Sequence, residues 1–331
     1  MKVSLKDIAK ETGVSISTVS RVLNGSDKIS KSTRDKVLQT AKRLGYKSKK
    51  KTNQEEQVFN IALVATGFHE GEFYSSFFHG LNVAAIENNA RLYLTAIVDY
   101  KKELLKLLKR LTSGHFDGII LFVPELIRAD YEKIKAEIPE DFPLISNALI
   151  ENPVFPTITF DSYSGGYLAA EHFRSCRYKK AGIILGPPER SESRFRKNGF
   201  VDNLSQFNSI EFVWSYEGDF TFQSGEKAFL NFLEQDEKPD AVFASNDSMA
   251  YGFMQTAKLH NVKIPEDVAL IGYDDLPSNR YTRPRMSSIH TNNKKLGHAT
   301  IKAMLEQIQN TDINSSLLSL VPVDVSQKET S

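Results

Sequence analysis

The chain has 331 residues, of which 40% are hydrophobic and 25% charged, a balance typical of folded soluble proteins and unlike disordered or membrane-spanning chains. It is too long for one ordinary core, so two or three compact units are expected. No apolar run could cross a bilayer, the charged N-terminus lacks the apolar core of a secretory signal, and Cys176 is the only cysteine. These features predict a cytoplasmic protein without membrane contact or disulfides.

The net charge of +1 conceals two regions of opposite charge. Residues 1–51 hold fourteen Lys or Arg and four Asp or Glu, a net charge of +10, whereas the rest holds 28 basic and 37 acidic residues, a net charge of −9. A basic head on an acidic body is typical of a phosphate-binding module attached to a second domain. Charge alone would fit a solvated basic tail equally well, so the pattern within the head has to decide.

Three short helices are predicted within residues 1–46. A Ser-x-x-acid capping box at Ser4 opens the first helix, and Gly13 ends it. Ser15 caps a second helix over 16–23, and Ser30 caps a third. Each helix carries apolar residues on one face, and a tight glycine turn joins the first two. This pattern predicts a helix-turn-helix DNA-binding domain.

The second helix leaves hydroxyl groups and an arginine on its outer face, as a recognition helix in the major groove does. The run Thr18-Val-Ser-Arg-Val-Leu-Asn24, with its flanking residues, closely resembles the N-terminal signature of the lac repressor (LacI/GalR) family. The resemblance implies binding to a double-stranded DNA operator, with bases read by Ile16, Ser17 and Arg21. The residues predicted to contact DNA are Ser4, Ser15, Ile16, Ser17, Thr18, Ser20, Arg21, Asn24, Lys28 and Ser30.

Residues 47–57 are predicted to form a polar linker or hinge. Members of the family that the head resembles usually have a Pro-Asn pair and an Ala-Arg-x-Leu segment here, and paired leucines wedge into the minor groove. This chain has neither, and no apolar residue lies between Tyr46 and Val58. We therefore expect specificity to depend on the heads, without a leucine wedge that kinks the operator.

From Phe59 onward, short apolar strands alternate with amphipathic helices. Strands are predicted at 61–65, 92–97, 118–123, 181–185, 241–244 and 268–272, and helices near 74–89, 100–112, 128–137, 192–207, 221–235 and 247–260. This alternation predicts parallel sheets with helices on both faces. About 270 residues exceed one sheet, so the body, 58–331, is predicted to be α/β with two doubly wound lobes. Ligands of such sheets bind beyond the carboxyl ends of the strands, in a cleft between lobes.

Polar and aromatic residues gather in the loops after these strands. Carboxylates, an amide and an arginine can bind vicinal hydroxyls, and aromatic rings can pack against sugar C–H groups. Strand-end Asp residues also cap the next helix, and for Asp247 that structural role is favoured. A single aromatic residue in such a loop is more often part of the core. The residues predicted to bind an effector are Phe73, Tyr74, Asp161, Arg196, Phe220, Asn246 and Asp274.

The body resembles the effector domain of the same family over nearly its whole length, with motifs such as Arg196-x-x-Gly-Phe200 and Gly272-Tyr-Asp-Asp275. The resemblance implies a periplasmic-binding-protein-like fold and a small, often sugar-like, effector that either releases DNA or promotes binding. It places lobe 1 at about 58–162 and 292–320, and lobe 2 at about 163–291 and 321–331. No leucine heptad follows, so a homodimer is expected.

Two other classes of function fit the sequence less well. An enzyme would need a nucleophile with a base, a metal site or a phosphate loop; Gly-x-Gly-x-x-Gly and Walker patterns are absent, and the seven histidines lack ligand spacing. We expect no catalysis, no cofactor and no metal. A transport-type binding protein would need export and has no use for a basic helix-turn-helix. A ligand-gated regulator accounts for every part of the chain. The alternative that the chain is a degenerate family member that has lost DNA or ligand binding stays open.

Overall fold

The computed structural model describes residues 5–23, 29–44, 58–66, 71–309 and 317–331. The chain divides into two compact units, Met1–Gln57 and Val58–Ser331. The predicted linker lies outside the described residues, as do Ser4, Asn24 and Lys28.

The first unit is a small helical core made by α1 (Leu5–Thr12), α2 (Ile16–Leu23) and α3 (Lys31–Arg43). Ile8, Val19 and Val37, one from each helix, are fully buried in it. Helices of 8 to 13 residues are marginal alone in water. The shared apolar core is therefore what holds the three helices, and the predicted helix-turn-helix is confirmed.

The helix boundaries of the head follow the predicted caps. Gly13 has φ 70°, a left-handed conformation that glycine adopts without a steric penalty, and it ends α1. The Ser15 hydroxyl accepts a hydrogen bond from the Thr18 N–H at 3.1 Å at the start of α2. The Ser30 hydroxyl accepts one from the Thr33 N–H at 3.4 Å at the start of α3.

The second unit is α/β. Its described strands are β1 (Phe59–Thr66), β2 (Ala90–Ile97), β3 (Gly118–Phe122), β4 (Leu144–Ser146), β5 (Thr157–Phe160), β6 (Lys180–Leu185), β7 (Glu211–Glu217), β8 (Ala241–Ala244), β9 (Ala269–Asp274), β10 (Ser287–His290), β11 (Leu318–Val321) and β12 (Asp324–Ser326). Its described helices are α4 (Glu72–Glu87), α5 (Tyr100–Thr112), α6 (Arg128–Glu137), α7 (Ser162–Ser175), α8 (Ser191–Phe207), α9 (Phe222–Leu233), α10 (Asp247–Leu259) and α11 (Asn293–Gln309).

The strands form two six-stranded sheets. The first has the order β11-β5-β4-β3-β1-β2 and is parallel throughout, and Leu63 of β1 pairs with Leu94 and Ile120. The second has the order β12-β10-β9-β8-β6-β7 and is parallel except for β12, which runs antiparallel to β10. We call the first sheet with its helices lobe 1 and the second sheet with its helices lobe 2.

Helices cover both faces of each sheet, as the alternation predicts. Successive residues of a strand point to opposite faces, so Ala62 and Val64 pack against α5 and α6, whereas Ile61 and Leu63 pack against α4 and α11. In lobe 2, residues of the central strands alternate in the same way between α7 with α8 and α9 with α10. Burial on both faces explains why these strands are continuous apolar runs.

Helices α7 and α8 touch through glycines. A Cβ on Gly166 would lie 1.9 Å from the carbonyl oxygen of Arg196, and one on Gly199 would lie 2.0 Å from the carbonyl oxygen of Tyr163. Any side chain at either position would force the helices apart, because the obstacle is backbone. This close contact fixes the position of Arg196 in lobe 2.

Candidate DNA-reading helix and effector cleft

Helix α2 carries the surface to which the sequence assigns DNA contact. Ile16, at its first position, is 44% exposed, while the opposite face of α2 is buried in the core. The hydroxyl oxygens of Ser15 and Thr18 lie 2.8 Å apart, so both take part in the start of the helix. Three more predicted residues have their backbone within α2, and their side chains are not among those described: Ser17, Ser20 and Arg21.

Arg196 lies in the interior of lobe 2 and is only 8% exposed. Its Nη1 donates a hydrogen bond to the Ser245 carbonyl at 2.5 Å, and its guanidinium lies 3.6 Å from the centroid of the Tyr273 ring. The same guanidinium is 5.9 Å from the centroid of the Phe220 ring. Arg196 therefore joins the ends of β8 and β9 to the loop after β7, and its Nε has no hydrogen-bond partner among the described residues.

The loops around Arg196 have an unusual backbone. Phe220 has φ 69°, Asp274 has φ 111° and Asp275 has φ 52°. Left-handed conformations at non-glycine residues cost about 1–3 kcal/mol each and persist only where the surrounding structure imposes them, commonly at ligand sites. Phe220 and Asp274 are both residues that the sequence assigns to the effector.

Asp274 has a buried carboxyl group that makes no hydrogen bond to any described residue. Burial raises the pKa of this carboxyl to about 7, although the nearby Arg196 lowers it. The residue lines a cavity of about 480 Å³ between α4 and the loop after β9, together with Ser76, His79 and Arg280 among others. A cavity of this size suits a small polar molecule, but none of the other six predicted effector residues line it.

Asp247 has a structural role, but not the helix cap that the sequence favours, because Asn246 caps α10 and Asp247 bonds other elements. It is fully buried, and it accepts hydrogen bonds from the Leu276 N–H at 2.8 Å, Asn279 Nδ2 at 3.0 Å and the Ser288 hydroxyl at 2.7 Å. Burial and then the charge of Asp274 raise the pKa of the Asp247 carboxyl well above its usual range. Asp247 thus anchors the loop that follows Asp274, the last residue of β9.

Two predicted effector residues also act as helix caps. Asn246 Oδ1 accepts a hydrogen bond from the Met249 N–H at 2.9 Å, and its Nδ2 donates to the Phe220 carbonyl at 2.9 Å. Asp161 accepts a hydrogen bond from the Ser164 N–H at 2.9 Å at the start of α7. Each keeps hydrogen-bonding capacity for a ligand, namely the second amide hydrogen of Asn246 and the remaining carboxylate lone pairs of Asp161.

Phe73 and Tyr74 belong to an aromatic cluster on α4. Their ring centroids lie 5.9 and 6.0 Å from that of Phe122, at the end of β3. Burial raises the pKa of the Tyr74 hydroxyl, Arg190 lowers it, and Glu125 and Glu192 raise it further. The hydroxyl therefore lies close to charges from both lobes.

Two of these charged residues, Glu125 and Arg190, form an ion pair between the lobes that the sequence did not predict. Glu125, in the loop after β3, accepts hydrogen bonds from Arg190 Nη2 of lobe 2 at 2.6 Å and from the Thr66 hydroxyl at the end of β1. The side chains of Arg190 and Glu125 are 23% and 26% exposed. Glu192, at the start of α8, lies beside them, and its Oε2 has no hydrogen-bond partner among the described residues.

A second ion pair joins the lobes at the surface. Arg194 Nη2 lies 3.0 Å from Glu151 Oε1, and both side chains are well exposed. An exposed pair contributes little to stability. It borders a groove of about 530 Å³ that none of the predicted effector residues line. We therefore place the candidate site at the strand ends and not at this groove.

None of the described side chains form a group of three or more His, Cys, Asp or Glu that could hold a metal ion. Within the same residues, no helix combines the length and the apolar character needed to cross a membrane.

The fold and the cleft define a class of protein in which a helix-turn-helix head precedes a two-lobed binding body. A family model described as "Bacterial regulatory proteins, lacI family" matches residues 4–49, and one described as "Periplasmic binding protein-like domain" matches residues 170–331. The chain belongs to the LacI family of bacterial regulatory proteins. It is a DNA-binding transcriptional repressor of that family with a periplasmic-binding-protein-like ligand domain.

Known proteins are similar along nearly the whole chain. The HTH-type transcriptional repressor PurR of Haemophilus influenzae (strain PittEE) is 28% identical over 315 residues, which cover 93% of this chain and 92% of the relative. Among solved structures, the lac repressor bound to ONPG in the repressed state has a TM-score of 0.75 at 23% identity, and the CelR–cellobiose complex has a TM-score of 0.73 at 25% identity. Both alignments cover 100% of each chain.

Proposed function

We propose that this protein is a homodimer whose two heads bind a double-stranded operator, and that a small sugar-like effector between lobes 1 and 2 changes the operator affinity. The proposal assigns no catalytic step and no cofactor, and it places the protein in the cytoplasm, where its operator is. The observation that carries it is the combination, in one chain, of a basic helix-turn-helix head with a cleft in which strained backbone presents the buried Asp274. The chain is proposed to cross between lobe 1 and lobe 2 near residues 162, 291 and 321.

Helix α2 is proposed to enter the major groove. Ile16, Ser17 and Arg21 read bases, and the other assigned residues position the head on phosphates or shape its turns: Ser4, Ser15, Thr18, Ser20, Asn24, Lys28 and Ser30. The net charge of +10 over residues 1–51 supplies the attraction to phosphate. Because such binding releases counterions, operator affinity should fall steeply with salt.

The effector is proposed to bind beside Arg196, Asp274, Phe220 and Asn246. The Arg196 guanidinium is 5.9 Å from the Phe220 ring and 3.6 Å from the ring of Tyr273, the residue before Asp274, and Asn246 donates to the Phe220 carbonyl, so one small molecule is proposed to reach these groups together. An aromatic face beside a carboxyl, an amide and a guanidinium suits a sugar ring. The CelR–cellobiose complex is a similar structure that holds a sugar. Asp161, Phe73 and Tyr74 are proposed to complete the site.

Coupling is proposed to act through the contact between lobes. A ligand beside the Glu125–Arg190 bridge competes with it or reinforces it, and so changes the relative angle of the lobes. That change alters operator affinity through a coupling free energy that is reciprocal between effector and DNA.

DNA binding is tested by gel shift with the gene's own upstream DNA. Arg21→Ala should weaken binding by more than about tenfold, because a bidentate base contact is worth about 1–3 kcal/mol. Lys36→Ala, an exposed change of equal charge on α3, serves as the control and should weaken it less. Absence of binding to any DNA at low salt would refute the proposal.

The cleft is tested by a thermal-shift screen of sugars and nucleosides against the full chain. A compound that raises the melting temperature, with an effect lost in Asp274→Ala, would place it in the cleft. A stabilising compound whose effect survives the triple replacement of Asp274, Arg196 and Asn246 by Ala would refute this site.

A further inference from the structure

The cavity of about 480 Å³ between α4 and the loop after β9, here called the α4 cavity, has walls from both lobes. Helix α4 and the start of α11 belong to lobe 1, and the loop after β9 and the end of β10 belong to lobe 2. Beside it, the Ser278 N–H donates to Glu72 Oε2 at 3.1 Å and joins the two walls. A ligand in this cavity therefore contacts both lobes, at a place that Arg196, Phe220 and Asn246 do not line.

Five basic side chains line the α4 cavity: His79, Arg280, His290, Lys294 and Lys328. Asp275 occupies two of them, since Lys328 Nζ donates to its Oδ1 at 2.5 Å and His290 Nδ1 lies 3.1 Å from its Oδ2. The side chains of the other three have no hydrogen bond or ion pair with any described residue. The chain beyond residue 51 has a net charge of −9, so an excess of unpaired cations in one cavity is a local exception.

Close backbone contact fixes two of these cations relative to each other. A Cβ on Gly80 would lie 2.2 Å from the carbonyl oxygen of Asn293, and one on Gly297 would lie 2.2 Å from the carbonyl oxygen of Gly80. His79 and Lys294 are the immediate neighbours of Gly80 and Asn293 in the chain. Their side chains therefore extend from two helices that cannot separate or slide without breaking this contact.

One acid in the wall restricts which anion can bind. The Asp274 carboxyl is 8% exposed and makes no hydrogen bond to any described residue. It repels an anion that has no proton, whereas it can form a hydrogen bond with an anion that carries one. Hydrogen phosphate combines negative oxygens for the cations with a hydroxyl for this carboxyl, and sulfate at neutral pH has no hydroxyl.

We infer that the α4 cavity binds a phosphate group, either inorganic phosphate or the phosphate of a small metabolite, through Arg280, Lys294 and His79. Arginine and lysine form charge-assisted hydrogen bonds with phosphate oxygens, the strong class of hydrogen bond. The site is separate from the proposed effector site, and the inference goes beyond the proposed function without depending on it. Because the bound phosphate contacts both lobes, it should stabilise the body.

Isothermal titration calorimetry of the full chain with sodium phosphate tests the site, at an ionic strength held constant with sodium chloride. We expect saturable binding with a Kd of about 1 mM or tighter, weakened at least about tenfold in the double variant Arg280→Gln/Lys294→Gln. The control Lys295→Gln/Lys302→Gln removes the same charge from exposed positions of α11 that do not line the cavity. It should change Kd by less than about twofold.

The control also separates the cavity from the basic head, which attracts phosphate through its net charge of +10. Absence of saturable binding, or equal loss of affinity in the two double variants, would overturn the inference. A sugar whose stabilising effect is lost in Asp274→Ala, in a protein that binds no phosphate, would overturn it and leave the proposed function standing.

Two related anions test the chemistry of the site. Sulfate should bind at least about threefold more weakly than phosphate because it has no proton to share with Asp274, and sulfate binding as tight as phosphate would overturn the inference. Glycerol 3-phosphate distinguishes the two sources of the phosphate group. Binding tighter than that of inorganic phosphate supports a metabolite, and weaker binding supports inorganic phosphate.

A variant with the opposite expected effect completes the test. Asp275→Asn removes the carboxylate that occupies Lys328 and His290, and asparagine tolerates the left-handed φ of 52° at this position. Because two more cations then face the cavity without a counter-charge, phosphate should bind at least about threefold more tightly. Unchanged or weaker phosphate binding in Asp275→Asn would overturn the inference.

Discussion

Replacing Asp274 by Asn removes one buried acid and keeps its size, and the effect on folding stability should depend strongly on pH. In the folded protein the Asp274 carboxyl has a pKa of about 7, raised by burial. In the unfolded chain an Asp carboxyl has a pKa of about 3.9. The folded state therefore holds a proton on this group over a pH range in which the unfolded state has lost it.

The sign and size of the effect follow from this difference. The stability associated with protonated Asp274 is fully present below about pH 4 and is lost as the pH rises to about 7. A difference of about three between the two pKa values corresponds to about 4 kcal/mol. The asparagine side chain does not titrate, so the Asp274→Asn variant should match the native protein near pH 4 and exceed its stability by about 4 kcal/mol above pH 7.

Urea denaturation at a series of pH values measures this effect. The free energy of unfolding of the native protein is subtracted from that of the variant at each pH. The subtraction removes the titration of groups that the change leaves undisturbed. Asp247 is disturbed, because the charge of Asp274 raises its pKa, and loss of that charge adds to the stability of the variant at high pH. Asp236→Asn, an exposed change of the same kind, should shift stability by less than about 0.5 kcal/mol throughout. A difference that stays flat between about pH 4 and pH 8 would show that Asp274 is ionised in the folded protein and would refute the account of its burial.

Three further changes test the packing and the caps. Gly166→Ala should lower the free energy of unfolding by about 2–3 kcal/mol in urea denaturation, because its Cβ would meet the Arg196 carbonyl. The control Ser205→Ala, exposed on α8, should change this free energy by less than about 0.5 kcal/mol. Equal values for the two variants would contradict the close contact. Asp247→Ala leaves three donors unsatisfied and should lower the free energy of unfolding by about 3–5 kcal/mol. Asp247→Asn keeps an acceptor and should lower it less. A smaller loss with Ala than with Asn would be inconsistent with these hydrogen bonds. Ser15→Ala should destabilise α2 by about 1 kcal/mol, seen as faster hydrogen exchange of its amides, and unchanged exchange would argue against the cap.

Much of the fold could be predicted because its local signals agree with its packing. The caps at Ser15 and Ser30 and the apolar faces of the head define its three helices, and the apolar runs of β1, β3, β6 and β8 mark strands that are buried on both faces. Helix α7 is less evident, because Gly165 and Gly166 lower its helical propensity and are explained only by contact with other elements. Strand β4, at three residues, is shorter than the runs on which strand prediction depends.

The candidate site was only partly predictable. Asp274, Arg196, Phe220 and Asn246 follow or flank strands, and resemblance to a family singles them out. Glu125 and Arg190 also lie in loops after predicted strands, but they are 65 residues apart, and nothing local indicates that they meet. Their contact depends on how two separately folded lobes face each other, which periodicity does not encode. The sequence likewise could not show that the Glu192 carboxylate is left incompletely paired.

The central claim is that a ligand in the body changes the affinity of the head for DNA. The direct measurement is the fluorescence anisotropy of labelled upstream DNA titrated with the full chain, with and without a saturating concentration of a compound that the thermal-shift screen places in the cleft. We predict a change in DNA affinity of about fivefold or more, in either direction, which disappears in Asp274→Ala. An unchanged DNA affinity while the compound saturates the cleft would contradict the account.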